Sequence, residues 1–405
     1  FFPAMKITVK NTITVTPVPE TPRSTLWLSN VDNDMPPFHT RTLHFFRNNG
    51  SADFFDVDVL AAGLGRVLAV FYPLAGRLKK QGNRVEVDCN GEGAILVEAE
   101  GDGEMDELGD LSSAPANILS PQVDYSKGIS SFPIFLVQVT VFKCGGICLG
   151  IANNHKVSDG ISAVHFIYAW ADLCRGLDVA VPPSIDRTAL RARDPPRVDF
   201  PHEGLQPPPE LKSPAGGVPP QLKLSEFKLI RKQLNALKDK CVKQEDGNEK
   251  GKKKKSYSTF EVLSGHAWQC LAKARDLPDD QLSTLYIAVD GRQRLIPPLP
   301  MGYLGNAVFM TATTVSYRDL KSRPLTDVVA KINASLTRMD DEYLRSAVDY
   351  LELNSDVDRY EGRGSRFNSP DCGIVSWWQM PVYEIDFGWG PPAYVGGGGR
   401  QSEGK

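Results

Sequence analysis

The sequence predicts a mixed α/β protein of two domains. Helical-spacing runs alternate with short β-branched runs, they do so in both halves of the chain, and a proline-rich stretch divides the halves. At 405 residues and 41% hydrophobic, the chain can bury a core for about two domains of ~100 to 200 residues each. The expected division is 1–193, a crossover at 194–221, and 222–405.

Val57, Leu60, Ala61, Leu64, Val67, Leu68 and Phe71 fall at the spacing of one helix face, and the run should stop at Tyr72-Pro73, where proline disfavours the helical conformation of its predecessor. Short alternating or β-branched runs at 85–87, 94–97, 134–142 and 147–152 read as strands bounded by glycine, asparagine and charged turns. After Gly160, the residues Ile161, Val164, Ile167, Trp170 and Ala171 return to helical spacing until Gly176. A dense set of prolines, Pro195, Pro196, Pro207, Pro208, Pro209, Pro219 and Pro220 among them, then removes backbone donors and favours extended chain. Beyond it, helices are expected at about 229–241 and 259–274 and strands near 286–289 and 308–315. The insert from Lys243 to Lys255 has no apolar residue; it reads either as a solvated loop or as lysines beside a polyphosphate ligand.

Charge narrows the function classes. Lys+Arg 46 against Asp+Glu 49, net −3, gives no global basic field for nucleic acid or anionic lipid. No apolar run reaches the ~18 residues of a membrane helix, so a cytoplasmic, small-molecule protein is expected. Seven scattered cysteines suit free thiols better than a disulfide framework, and Cys144 and Cys148, joined by a Gly145-Gly146 turn, lack a second pair at metal spacing. No metal and no resident cofactor is expected.

The chemistry centres on His155, in Asn154-His155-Lys156-Val157-Ser158-Asp159-Gly160, placed between a predicted strand and a predicted helix. A histidine at a strand end suits general-base work, because an imidazole titrates near neutrality and proton transfer contributes ~100- to 10,000-fold in rate. Asp159 has two roles open to it: polarising the imidazole, or turning away to brace the loop through an arginine or backbone donors. A second motif, Asp386-Phe387-Gly388-Trp389-Gly390, specifies five residues in a row. A hydrolase with a serine nucleophile is disfavoured, since no Gly-x-Ser-x-Gly elbow occurs.

HxxxDG followed by DFGWG, with Tyr72-Pro73-Leu74-Ala75-Gly76-Arg77 upstream, resembles the plant BAHD acyltransferases. Within that family the segments Thr25-Leu26-Trp27-Leu28-Ser29-Asn30-Val31-Asp32, Ser264-Gly265-His266-Ala267-Trp268 and Val289-Asp290-Gly291-Arg292-Gln293-Arg294 are most similar to the hydroxycinnamoyl-CoA shikimate/quinate hydroxycinnamoyltransferases. The resemblance implies a two-domain fold like chloramphenicol acetyltransferase, with acyl-CoA as co-substrate entering from one side and a hydroxylated acid from the other. It implies that a monomer transfers a hydroxycinnamoyl group directly to a hydroxyl in phenylpropanoid (lignin) metabolism, with His155 as base and no acyl-enzyme.

On the same resemblance, Asp386 holds the domains in register through an arginine, for which Arg292 is the candidate. Arg363 would bind an acceptor carboxylate, joined by His39, Thr42, His44, His266 and Trp377. Lys255, Ser256 and Tyr257 would contact CoA. Thr42 keeps a hydroxyl where the nearest relatives have Ser, whereas His44 replaces their Tyr and Val375 their Thr. These differences leave open another hydroxyl or amine acceptor, or a relative that binds acyl-CoA without turnover.

Overall fold

The computed structural model describes residues 5–206, 225–241, 256–355 and 367–397. Among them the strands are β1 (Ile7–Val15), β2 (Ser24–Trp27), β3 (His39–Phe46), β4 (Arg77–Gln81), β5 (Arg84–Cys89), β6 (Ala94–Gly101), β7 (Phe135–Val141), β8 (Ile147–Asn154), β9 (Leu282–Asp290), β10 (Val308–Ser316), β11 (Cys372–Ile374) and β12 (Tyr394–Gly397). The helices are α1 (Asn30–Asn33), α2 (Val57–Val70), α3 (Ala116–Leu119), α4 (Gly160–Cys174), α5 (Arg231–Asp239), α6 (Thr259–Arg275), α7 (Tyr317–Ser322), α8 (Leu325–Thr337) and α9 (Asp341–Leu353).

The first half is built on a mixed sheet of order β1-β6-β7-β8-β3-β12, in which only β6 and β7 pair in parallel. Every residue of β8 is buried, because the strand is covered on both faces: Ile147, Leu149 and Ile151 point into a core shared with α2 and α4, and Cys148 points into a smaller cluster opposite. Helix α2 starts where the Asp56 carboxylate accepts from Asp58 and Val59 N–H, and it ends at Tyr72-Pro73, as the sequence predicts. Trp170 of α4 donates from Nε1 to the Leu60 carbonyl of α2 at 3.0 Å, so the two helices share one large buried anchor. Such a side chain stabilises by roughly 2 to 3 kcal/mol when fully buried.

The second half has its own sheet, β10-β9-β11, backed by α6 to α9 around Trp268, Leu285, Ile287, Ile332 and Leu344. Between the halves, Asp349 of α9 accepts from the backbone N–H of Arg193 and Arg197, both at 2.8 Å, which fixes the start of the proline-rich crossover. Residues 207–221 of that crossover lie outside the described residues.

Two features differ from the expected division. Helices α8 and α9 were not expected from apolar spacing. More important, the DFGWG segment follows the second half in sequence yet packs on the first. Ile385 and Phe387 lie in the first core, the Phe387 ring stands edge-on to Trp170 at 4.9 Å, and β12 then pairs with β3. A single unit spanning 222–405 therefore does not describe the packing of its last stretch.

Candidate active site

The turn between β8 and α4 carries HxxxDG. Backbone pairing of β8 with β3 on one side and β7 on the other ends at Asn154, and His155 N–H then bonds the Phe38 carbonyl at 3.1 Å. Asp159 is the N-cap of α4, accepting from Ser162 N–H at 3.0 Å. The segment after Trp377 lies against Gly160: a Cβ at this position would sit 2.7 Å from Met380 Cε, the movable end of a flexible side chain.

Asp159 does not polarise His155. Its carboxylate accepts from both terminal nitrogens of Arg292, at 2.8 and 2.9 Å, and from Ala307 N–H at 3.0 Å. Both ends are buried, and Arg292 also meets Asp290 at 2.9 Å and Ser162 Oγ at 3.0 Å. Burial would raise the carboxyl's pKa, but the Arg292 charge and the donated hydrogen bonds outweigh it and hold Asp159 below the usual carboxylate range. The guanidinium is raised in turn, burial being overcome by Asp159 and Asp290. The bidentate pair ties the first half to the second. Of the two roles open to Asp159, bracing is the one it has.

This overturns the expected partner of Asp386. Arg292 belongs to Asp159, and Asp386 instead accepts from the N–H groups of Gly388 and Gly390, both at 2.8 Å, closing its own turn. Gly388 and Gly390 have φ of +109° and +103°, which is why the motif needs glycine there. Among the described residues, Asp386 therefore makes neither an ion pair across the halves nor a hydrogen bond to the His155 turn. Trp389 stacks near Phe55 at 4.9 Å and donates to Asp53 at 3.3 Å, so this motif docks onto the α2 entry.

What holds the imidazole is Asn306, which sequence reasoning missed. Its Oδ1 lies 3.2 Å from His155 Nδ1, while its Nδ2 donates to the His155 carbonyl at 2.8 Å and to Asp32 Oδ1 at 2.9 Å. With two acceptors before Nδ2, the amide orientation is fixed, so Nδ1 carries the ring proton and Nε2 keeps its lone pair. Among the described residues nothing hydrogen-bonds Nε2 of this half-buried ring, and a lone pair there can accept a proton. No motif marks an isolated asparagine; the Ser29-Asn30-Val31-Asp32 segment was noticed only as part of a resemblance.

The remaining expected residues divide. Thr42 and His44 alternate along β3 on the same face as Ile151 and Asn153, the two β8 residues whose alternation His155 continues. Thr42 Oγ1 lies 3.0 Å from His44 Nε2. Burial pushes the His44 imidazole down to about 4, so it is neutral. The half-exposed Trp377 approaches Gly397, the strand neighbour of Thr42. His39 does not join them: Nδ1 meets Tyr125 Oη at 2.9 Å and Nε2 meets the Pro133 carbonyl at 2.8 Å. Both nitrogens are consumed internally, and burial lowers this ring to about 4 as well. His266 stands half-buried on α6, its Nε2 3.7 Å from Cys270 Sγ. Tyr257 is buried against Leu237, Val262 and Val329, whereas Ser256 is exposed. Arg363 and Lys255 lie outside the described residues. All seven cysteines are free. Among the described residues no helix is long and apolar enough to cross a membrane.

Comparison with known proteins identifies the family and the fold. A sequence profile of the Transferase family matches residues 5–405. Shikimate O-hydroxycinnamoyltransferase of Nicotiana tabacum is 46% identical over 407 residues, 99% of this chain and 92% of that protein. Rosmarinate synthase of Plectranthus scutellarioides is also 46% identical, with the same coverage of 99% and 92%. The crystal structure of vinorine synthase shares the fold at TM-score 0.71 and 22% identity, covering 96% of this chain and 88% of that one. With HxxxDG and DFGWG both in place on this two-domain fold, the chain belongs to the BAHD family of acyl-CoA-dependent acyltransferases.

Proposed function

We propose that this enzyme moves a hydroxycinnamoyl group from CoA to a hydroxyl of shikimate or quinate, with His155 as general base. The carrying observation is the imidazole itself, fixed through Nδ1 by Asn306 and presenting Nε2 at the end of a rigid strand. In the proposed step Nε2 takes the acceptor's hydroxyl proton as that oxygen attacks the thioester carbonyl. The tetrahedral oxyanion collapses, the C–S bond breaks, and CoA leaves as thiolate, which recovers the proton from the imidazolium.

Similarity to the tobacco shikimate enzyme supports this acceptor. A different hydroxyl or amine acceptor is the second reading, favoured by His44 in the Thr42 pair and by Val375, which is exposed. The test is release of free thiol from p-coumaroyl-CoA across a panel of shikimate, quinate, hydroxylated phenylpropanoid acids and aromatic amines. Shikimate- or quinate-dependent release is expected, and His155→Ala should fold and abolish it. Release that depends only on another acceptor would replace the acceptor, and no release with any acceptor would leave an acyl-CoA-binding protein.

A further inference from the structure

Of the two roles open to Asp159, its carboxylate takes the one facing Arg292 and not the one behind the base. A second buried carboxylate takes up a related place one residue further away. Asp32, at the end of the Ser29-capped turn of α1, is fully buried. Its Oδ1 accepts from the backbone N–H of Asn306 at 2.8 Å and from Asn306 Nδ2 at 2.9 Å. Its Oδ2 accepts from Ser29 N–H at 2.9 Å and Ser29 Oγ at 2.7 Å, and ion-pairs with Arg187 at 2.9 Å. Arg187 is buried too, and its other terminal nitrogen donates to the Val157 carbonyl at 2.9 Å, inside the His155 turn. Among the described residues, the Asp32 oxygens thus meet the hydrogen-bond donors of Asn306 and Ser29 and the positive charge of Arg187.

We propose that Asp32 is a positioning residue for the reaction: through Asn306 it fixes the proton on His155 Nδ1 and so keeps the lone pair on Nε2. The inference rests on His155 being the base. An amide is symmetric enough to present either atom, and only its surroundings choose. Turned over, Asn306 would set its oxygen against the Asp32 carboxylate and the His155 carbonyl, and its NH2 against Nδ1. The ring would then carry its proton on Nε2, where it cannot act as a base. Backbone bonds hold Asn306 in place meanwhile, since Gly305 N–H reaches Ser162 Oγ at 3.1 Å and Ala307 N–H reaches Asp159. The charged and titratable groups around this relay are Arg187 on Asp32, Tyr303 near both, the Asp159–Arg292 pair beyond Ala307, Lys156 on the Asn33 carbonyl, and His39 on the adjoining strand.

Asp32→Asn replaces a group that can only accept by an amide that can turn either its oxygen or its NH2 toward Asn306, so the Asn306 orientation is no longer enforced, and it should lower kcat on the order of 100-fold or more per folded molecule, with KM for acyl-CoA nearly unchanged. The exchange Asp32→Asn with Asn306→Asp puts a carboxylate directly on Nδ1. It should recover much of kcat and move the acid limb of the pH–rate profile to higher pH, because a direct negative charge favours the imidazolium. Nitrogen-15 imidazole NMR on the unmodified full chain should find neutral His155 protonated at Nδ1. Wild-type kcat in Asp32→Asn would overturn the relay. So would an exchange variant that folds but is no faster than Asp32→Asn, or a ring proton found on Nε2 in the unmodified enzyme, a result that needs no variant to fold. If His155→Ala remains active, it is the base assignment that fails; if it is inactive while Asp32→Asn is unimpaired, only the relay fails.

Discussion

Two aspartates open glycine-containing motifs here, Asp159 before Gly160 and Asp386 before Phe387-Gly388, yet they live in opposite surroundings. Asp159 is buried and gathers a helix N-terminus, an arginine from the other half and a backbone N–H from a third segment. Asp386 is half-exposed and, among the described residues, bonds its own turn alone, two and four residues on. The first is a long-range latch and the second a local staple for a hydrophobic plug made by Phe387 and Trp389. A motif's aspartate therefore does not announce its reach; burial and partner distance in sequence do.

The largest expected effect tests the latch. Asp159→Ala leaves the Arg292 charge buried and unpaired and should cost about 3 to 5 kcal/mol in urea denaturation. Adding Arg292→Met should cost less than the sum of the two single changes, because the stranded charge goes with it. If Asp159→Ala is no more damaging than Asp386→Ala, the contrast breaks.

A middle-sized effect concerns pH. Burial puts folded His39 and His44 near about 4, while an unfolded histidine takes its proton near ~6.5. Between those values the unfolded chain binds more protons, so stability falls as pH falls, by at most ~1.4 kcal/mol per pH unit for each ring. Asp159 acts with a carboxylate's sign: its stabilisation is full above the unfolded value and is lost only as pH drops below ~4 through the folded one. Melting temperature should thus decline from pH 6.5 downward before the latch is touched, and His44→Phe should flatten that decline. A decline that starts only below pH 4 would remove the histidines from the account.

The smallest effect belongs to the staple. Asp386→Ala frees two N–H groups near water and should cost about 1 kcal/mol, with kcat per folded molecule within about threefold of wild type. A loss as great as that of His155→Ala would mean that the plug, too, reaches the chemistry.

The helices α2, α4 and α6 were legible because each buries one stripe and is punctuated by a cap, proline or glycine, signals that are local. The turn with His155 was legible for the same reason. Arg292 was picked out as a latch residue but matched to the wrong aspartate, since spacing along the chain says nothing about which of two carboxylates the sheet brings to it. Asn306 and Asp32 were invisible as a pair: they are 274 positions apart, and an amide carries no pattern of its own. His39 misled in the other direction, for its partners Tyr125 and the Pro133 carbonyl come from a distant loop.

The return of β12 to β3 bears on how the molecule is made. Until Tyr394–Gly397 exist, β3 offers an unpaired edge, and the first core lacks Ile385 and Phe387. The half that holds His155 is thus completed by residues synthesised after nearly all of the other half. Completion of the half that carries the His155 turn is a late event that joins residues far apart in sequence, and a ribosome-bound chain stopped before Ile385 should hold α4 against an incomplete core with its sheet open to neighbours.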